Sequence, residues 1–394
     1  MQPVPRRVRL VVALKVVLTR YWAALCVASG MVLSPCLTQA YAQRVQSTGA
    51  DSACRCRIEL ERVLRIDTLT DDGASASIFA RLEMNGRGQF LVAPVRSGIG
   101  SVIARLGPGG EVLQPFVGAG IANGFGQVRD FHTTPLDSLL VLHQSDITLL
   151  NPQGAALRSR RLPADMVAYR FLRLRDGRVV LNSYDARRPA FVLLSQMFAE
   201  VRQFGPTVPP DDAQDLSATQ YRLADLGDGR FVAAKETYRY AIEIWDTSGT
   251  KVRDFGSSRS WFQPWTRQQW LDRGPRSAPF ARIQGVYFEA PRRLWIIAEV
   301  PDARTPTPGP SASAAGRARP VGEMGIVPVD QYDSVFDTVL EVVDVETGRV
   351  LVSQRFDQHI RTFSDRGLLY SLHQGSGTRL VLQVWRPLIV PDRQ

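Results

Sequence analysis

Short apolar runs separated by glycine and aspartate turns recur along most of this chain. The clearest pair of phrases begins at Arg170 (RFLRLRDGRVVL) and at Arg222 (RLADLGDGRFVA). Each phrase is followed by its own version of one ending, EVRQFG from Glu200 and KVRDFG from Lys251. The two phrases start about 50 residues apart, and their endings are also about 50 residues apart, so a whole structural unit repeats.

The repeat predicts an all-β fold. Each unit supplies about four short apolar or alternating segments, which is typical of antiparallel strands joined by turns. Units of this length and content are typical of a β-propeller. Six units fit between residues 58 and 390, so we predict a six-bladed β-propeller of four-stranded antiparallel blades. The ring has to close, and we expect the stretch around Val63–Ile66 to complete the last blade.

The N-terminal segment has the pattern of a secretory signal. Basic residues precede an apolar stretch over 22–33, and an A-x-A cleavage signal ends at Ala42. The apolar stretch is short for a membrane span, although an uncleaved anchor stays open as an alternative. We therefore predict a signal peptide over 1–42, a polar leader over 43–57, and no membrane span after cleavage. The mature protein is expected to be exported, either periplasmic or extracellular.

Composition and charge limit the class of partner. Hydrophobic residues make up 44% and charged residues 22% of the chain, which is ordinary for a globular protein. The formal net charge is +10, but five of the positive charges lie in the predicted signal. No block of lysine and arginine marks a nucleic-acid binder. Cys54 and Cys56 form a C-x-C pair, for which a strained disulfide and reduced thiols both stay open.

Two segments interrupt the repeat. Residues 302–320 (DARTPTPGPSASAAGRARP) are too rich in Pro, Ser, Ala and Gly to pack a core, and we predict a flexible loop inside unit five. Residues 260–270 (SWFQPWTRQQW) lie between units four and five and include Trp261 and Trp265. Tryptophan is enriched at binding surfaces. The alternative is a loop between blades that buries these rings.

Three kinds of motif carry a resemblance to a known family of proteins. They are the turn phrases at Asp176 (DGRVVL) and Asp228 (DGRFVA), the endings at Phe204 and Phe255, and the LEVVDVETGR run. The chain resembles exported bacterial six-bladed β-propellers of the NHL/TolB-like kind over roughly residues 58–390. These motifs are structural, so the resemblance implies the fold and no particular activity. Units two and six depart from the phrase, since LDS and Asp365-Arg-Gly replace the usual turn.

Candidate binding residues follow from strand position. The first strand of each blade lines the channel, and counting back nine positions from the apolar residue after each turn gives equivalent sites. The candidates at this channel mouth are Arg81, Arg129, Asp130, His132, Arg170, Arg222 and Arg361. Guanidinium groups suit carboxylate or phosphate, which predicts a small anionic ligand or an acidic segment of a partner protein. The structural alternative is pairing with acids of neighbouring blades, such as Asp225, Glu83 or Asp130.

The functional hypotheses differ in class. The first is a monomeric binding or interaction module without cofactor or metal, and the second is a divalent-metal-dependent, lactonase-like hydrolase or lyase. The second needs converging oxygen and nitrogen ligands, to which Asp130, His132 and Asn182 could contribute. The sequence holds no nucleophile elbow, zinc-protease, P-loop or dinucleotide motif. A structural part of an envelope complex is the third hypothesis.

Overall fold

β-Strands form almost all of the regular structure in the described part of the chain. The computed structural model describes residues 56–70, 79–94, 103–111, 113, 128–143, 146–163, 166–183, 188–207, 219–256, 258–266, 268–269, 280–304, 335–374 and 379–392. The predicted signal peptide over 1–42 lies outside these residues. The polar leader does too, up to residue 55.

The strands of the first half of the chain are β1 (Cys56–Thr70), β2 (Phe79–Met84), β3 (Phe90–Pro94), β4 (Ala104–Leu106), β5 (Asp130–Thr133), β6 (Leu139–Leu142), β7 (Asp146–Leu150), β8 (Ala156–Arg161), β9 (Ala168–Arg173), β10 (Val179–Ser183), β11 (Phe191–Leu194) and β12 (Glu200–Phe204). The remaining strands are β13 (Tyr221–Asp225), β14 (Arg230–Lys235), β15 (Ile242–Asp246), β16 (Lys251–Phe255), β17 (Arg282–Glu289), β18 (Arg293–Pro301), β19 (Phe336–Asp344), β20 (Val350–Phe356), β21 (Leu369–Gln374) and β22 (Arg379–Pro391).

These strands form six antiparallel sheets that follow one another along the chain. Blades 2 to 5 each contain four strands in sequence order, and blade 1 consists of β2, β3 and β4 in the described residues. Blade 6 has the order β21, β22, β1, and a bridge from Phe363 to Leu369 adds the segment before β21 as its first strand. The first strands of blades 1 to 5 contact one another in turn. The predicted six-bladed propeller is confirmed.

Ring closure uses the start of the described chain. β1 pairs with β22 from Cys56 opposite Pro391 to Thr70 opposite Arg379, which makes it the outer strand of blade 6. The expected closing strand around Val63–Ile66 is therefore confirmed, and it is longer than the sequence indicated. Cys56, its first residue, is disulfide-bonded.

The repeated Asp-Gly-Arg phrase is explained by its turn. Asp176 accepts a hydrogen bond from the backbone N–H of Arg178 (2.9 Å), and Asp228 accepts the matching bond from Arg230 (3.2 Å). The glycine between them has φ near +86° in blade 3 and +82° in blade 4, a conformation that favours glycine. The carboxylate closes the turn and the glycine allows its backbone conformation.

The core lies mainly between neighbouring blades. Phe191 in blade 3 is fully buried and touches the rings of Phe204, Phe231 and Trp245 at centroid distances of 5.5–5.8 Å. The glycine of the EVRQFG ending, Gly205, has φ +98°, and a Cβ there would lie 2.6 Å from the Phe191 ring. The Phe-Gly ending therefore contributes the Phe204 ring to the core, and Gly205 leaves the space that the Phe191 ring occupies.

The predicted insertion falls where unit five was expected to be interrupted. β18 ends at Pro301 and β19 begins at Phe336, so the connection joins the second and third strands of blade 5. Residues 305–334 lie outside the described residues. Among the residues that are described, no helix has the length and apolar character needed to cross a membrane.

Candidate ligand site at the channel

The first strands of the blades surround a small central cavity. It has a volume of about 30 Å³ and is lined by Arg81, Asp130, Arg170, Phe171, Arg222, Leu223, Gly285, Val286, Thr362 and Phe363. Strands alternate in direction, so all first strands begin at one face, which also carries the connections between blades. We name it the connection face. Arg81, Arg170 and Arg222 lie at the second or third residue of their strands, so their backbones are in the half of the channel nearer this face. The guanidinium of Arg81 extends the other way, to Asp365 in the turn that follows the first strand of blade 6.

Four of the predicted arginines act electrostatically on one buried tyrosine. Burial raises the pKa of Tyr370, while the positive charges of Arg361, Arg170, Arg81 and Arg222 act in the opposite direction. Arg361 is buried, and its backbone N–H donates to the carbonyl of Tyr370 (2.8 Å). Tyr370 itself packs in a core cluster, and Arg361 is not among the residues that line the cavity.

Arg222 is held by two neighbours, the buried Glu236 and the half-buried Gln284. Its Nη2 lies 3.1 Å from Glu236 Oε1 and donates to Gln284 Oε1 at 3.0 Å. Glu236 directly follows β14 and Gln284 lies on β17, so Arg222 joins blade 4 to blade 5. Asp225, which the sequence suggested as a partner for these arginines, instead accepts backbone N–H bonds from Arg175 (3.0 Å) and Gly227 (2.9 Å).

Arg81 is the centre of a buried charged cluster. Its Nη1 donates to Asp130 Oδ1 (3.0 Å), its Nε donates to Glu83, and its Nη2 donates to Asp365 Oδ1 (2.5 Å). Glu83 and Asp130 are fully buried. Arg81 therefore pairs with nearby acids, which was the structural alternative to ligand binding for the channel arginines.

Both ring nitrogens of His132 lie within hydrogen-bond distance of an oxygen atom. Nε2 lies 2.8 Å from the carbonyl oxygen of Phe171, which only accepts, and Nδ1 lies 2.6 Å from Asp365 Oδ2. Both contacts are satisfied when each nitrogen carries a proton, as in the imidazolium. Burial and Arg81 oppose this charge, but Asp365 and Asp130 outweigh them and raise the pKa of His132.

The carboxylates of the cluster divide into two kinds. Burial and the neighbouring Asp365 raise the pKa of Glu83 to about 8, although Arg81 and His132 oppose the shift. Burial also disfavours ionisation of Asp365 and Asp130, but Arg81 and His132 outweigh it and lower the pKa of both. The cluster therefore favours a protonated Glu83 beside ionised Asp130 and Asp365, with Arg81 in contact with all three.

The same residues are the one potential metal-ligand group found in the described part of the chain. Ligand atoms of Glu83, His132 and Asp365 all lie within 4.8 Å of one another. Arg81 contacts each of these residues, with Nη2 only 3.1 Å from His132 Nδ1. A divalent ion would have to displace this guanidinium and the proton on Nδ1. Arg81 already supplies the cation that the three ligands require.

Two further predicted residues lie outside the cavity. Asn182 accepts from the backbone N–H of Tyr221 (3.0 Å) and donates to the carbonyl of Thr219 (2.8 Å), so it joins blades 3 and 4. Arg129 is half-buried and directly precedes Asp130, so strand alternation directs its side chain to the opposite side.

The tryptophan segment packs against blades 4 and 5. Trp265 is 7% exposed, donates from Nε1 to the carbonyl of Ala281 (3.2 Å), and stacks on Phe280 at 4.7 Å. Trp261 is half-buried, with its ring edge-to-face on Tyr240 at 5.5 Å. Trp265 is thus buried in a loop between blades, as the alternative interpretation of this segment predicted. Trp261 keeps part of its surface in solvent. Trp270 lies outside the described residues.

Sequence reasoning missed Asp365, Tyr370 and Glu236 as site residues. One signal was present for Asp365, because Asp365-Arg-Gly replaces the usual turn of the repeat in unit six. Tyr370 and Glu236 have no such signal. Tyr370 lies on the second strand of blade 6, and Glu236 directly follows the second strand of blade 4. Only the assembled ring brings them near the channel arginines.

Comparisons with known proteins return likenesses of fold. No protein-family model matches the sequence, and no curated protein matches it. Among solved structures, the Neurospora crassa Pan2 WD40 domain is 11% identical with a TM-score of 0.47 and covers 84% of this chain and 95% of its own. Catalytically inactive Staphylococcus aureus virginiamycin B lyase with quinupristin is 9% identical with a TM-score of 0.46, covering 83% and 99%.

A third similar structure is Chaetomium thermophilum Raptor, at 14% identity and a TM-score of 0.39. The match covers 55% of this chain and 18% of Raptor, so the chain spans less than a fifth of that protein. At these identities and scores the similarities carry no argument about activity. The propeller assignment rests on the strand order of the structure itself.

Proposed function

We propose that this chain is an exported binding or interaction module that receives a small anionic group at the connection face of its channel. The observation that carries the proposal is that Arg81, Arg170 and Arg222, from three different blades, line one small cavity in the channel. Their charges act in a partly buried space, where charge interactions are stronger than in water.

The size of the cavity limits what enters it. About 30 Å³ holds one or two water molecules, so the space suits a terminal group such as a carboxylate and not a whole metabolite. The ligand is therefore either a small molecule that ends in such a group or an acidic side chain of a partner protein. Planar guanidinium forks bind both kinds of group through paired N–H donors.

The alternative, a divalent-metal-dependent hydrolase or lyase, has a specific difficulty. Arg81 lies among the candidate metal ligands, with Nη2 2.5 Å from Asp365 Oδ1 and 3.1 Å from His132 Nδ1, and its Nε donates to Glu83. A metal mechanism requires the guanidinium to leave a buried site in which it contacts three carboxylates.

The proposal is tested by titrating the full chain with acetate and with inorganic phosphate at constant ionic strength, following thermal unfolding. A ligand at about a hundredfold its dissociation constant should add about 2.7 kcal/mol to the free energy of unfolding. Arg170→Gln and Arg361→Gln should reduce this stabilisation. Arg253→Gln, on the exposed outer strand β16, is the matched control and should retain it. Equal responses in all three variants, or none in the parent, would reject the proposal.

A further inference from the structure

Three aromatic rings form a continuous group at the connection face. Tyr238 meets Trp265 edge-to-face at 4.6 Å, and Trp265 stacks on Phe280 at 4.7 Å with an interplanar angle of 10°. Tyr238 lies in the loop between β14 and β15, and the other two lie in the connection between β16 and β17. Tyr238 and Phe280 are half-buried and keep part of their surface in solvent. We name these three residues the aromatic platform.

The aromatic platform is joined directly to the arginine site. Glu236, whose carboxylate pairs with Arg222 at 3.1 Å, precedes Tyr238 by two residues in the same loop. The carbonyl of Glu236 also accepts from the backbone N–H of Ile283 (3.0 Å), next to the Gln284 that Arg222 contacts. Both features therefore belong to one region of the connection face.

The backbone at Tyr238 is strained. Its φ is +68°, and the N–H of Arg239 donates to the carbonyl of Thr237 at 2.8 Å, which closes a three-residue turn. γ-Turns with positive φ at the centre are rare and strained. A bulky residue in this region costs on the order of 1–3 kcal/mol, and such strain concentrates at functional sites. Glycine or asparagine would form this turn more easily, yet the chain places a tyrosine ring there.

We propose that the aromatic platform and Arg222 form one composite site for a carboxylate carried on a ring. The ring lies against Tyr238 and Phe280, and the carboxylate points to the channel arginines. The exposed Arg239 borders the same surface. This inference rests on the proposed function, because it needs the arginines to receive the anionic group. Aromatic faces stack on arenes and on sugar rings, so the ligand class is aryl carboxylates or uronic-acid sugars.

The test compares three probes by isothermal titration calorimetry of the full chain: acetate, phenylacetate and glucuronate. We expect phenylacetate or glucuronate to bind at least about tenfold tighter than acetate, the size of a stacking contribution. The tighter probe identifies the ring as an arene or a sugar. Tyr238→Asn should abolish this difference, because it removes the ring and asparagine tolerates the positive φ. Its melting temperature should equal or exceed that of the parent, because the strain is relieved.

The outcomes separate the two proposals. If acetate binds and neither ring-bearing probe binds tighter, the composite site is wrong and the anion-binding proposal stands. If Tyr238→Asn retains the advantage of the ring, the composite site is wrong as well. If no probe binds, the proposed function fails and this inference fails with it. Phe280→Leu keeps apolar volume without the ring, so it repeats the comparison if Tyr238→Asn folds poorly.

Discussion

Asp365 in a turn of blade 6 lies 2.6 Å from His132 on the first strand of blade 2. The contact passes the end of blade 1, whose Glu83 accepts the backbone N–H of the same aspartate at 3.0 Å. Three blades meet at this point, beside the place where the ring closes. A buried network with every member satisfied gives rigidity, and its protonation then affects the stability of the whole ring.

The first prediction concerns pH. The pKa of Glu83 is raised to about 8 and that of His132 is raised above 6.5, so the folded chain binds more protons than the unfolded chain near neutrality. The free energy of unfolding should therefore fall as pH rises from about 5 to about 8, by up to about 1.4 kcal/mol per pH unit for each proton involved. Asp130 and Asp365 have lowered pKa values, and the stability that they contribute is lost as pH falls below about 4.

Urea unfolding between pH 4 and pH 9 measures this profile. Glu83→Gln has nearly the same shape and stays neutral, so it should flatten the decline between pH 6 and pH 8. Glu200→Gln, on the exposed outer strand β12, is the matched control and should leave the profile unchanged. An identical profile for Glu83→Gln and the parent would show that Glu83 is ionised at neutral pH.

The second prediction concerns Arg81 and metal ions. Arg81→Met should cost about 3–5 kcal/mol, because it leaves the carboxylates of the cluster without their cation. The same change opens the space among Glu83, His132 and Asp365, whose ligand atoms are already close together. Thermal unfolding with EDTA and then with calcium, manganese and zinc should show no ion-specific shift for the parent and an upward shift for Arg81→Met. Stabilisation of the parent by one of these ions would favour the hydrolase or lyase alternative.

The third prediction tests the Phe-Gly ending of the repeat. Gly205→Ala combines a strained positive φ with a Cβ that would lie 2.6 Å from Phe191, so it should cost on the order of 2–4 kcal/mol. Gly229→Ala has a similar φ of +82°, but its Cβ would meet only Thr247 Oγ1 at 3.8 Å. This control should cost about 1 kcal/mol. Equal losses in urea unfolding would show that the Phe191 ring moves aside without cost.

The fourth prediction concerns the closing strand. Ile58 is 1% exposed on β1 and packs in the core between blades 5 and 6, where its N–H also donates to Gln354 Oε1 (2.7 Å). Ile58→Ala should cost about 2–5 kcal/mol. Val63 on the same strand is 38% exposed, and Val63→Ala should change stability by less than about 0.5 kcal/mol. Similar effects of the two changes would contradict the pairing of β1 with blade 6.

The fold was predictable because its determinants are local and repeated. Turn residues such as Asp176 and Gly177 have the same structural role in successive blades, so the repeat can be recognised in the sequence. Strand parity also places Arg81, Arg170 and Arg222 on the cavity, since equivalent positions of first strands face the channel.

The partners of these arginines were less predictable. Asp365 reaches His132 across 233 residues of sequence and Glu236 reaches Arg222 from a loop, and neither pairing follows from the repeat. The strain at Tyr238 is likewise a property of the assembled loop, because nothing in the surrounding sequence requires a positive φ at a tyrosine. The repeat therefore does not predict which side chains from different blades contact one another at the channel.

The pairing of β1 with β22 also sets an order of events during synthesis. β1 leaves the ribosome before every other strand described here, yet its partner is the last of them to be made. Blades 2 to 5 consist of neighbouring hairpins and complete themselves from local contacts, whereas blade 6 depends on one contact of very large sequence separation. Such contacts form slowly. The ring is thus locked in a single late step, and until then the first strand is an exposed edge that other chains or chaperones can reach.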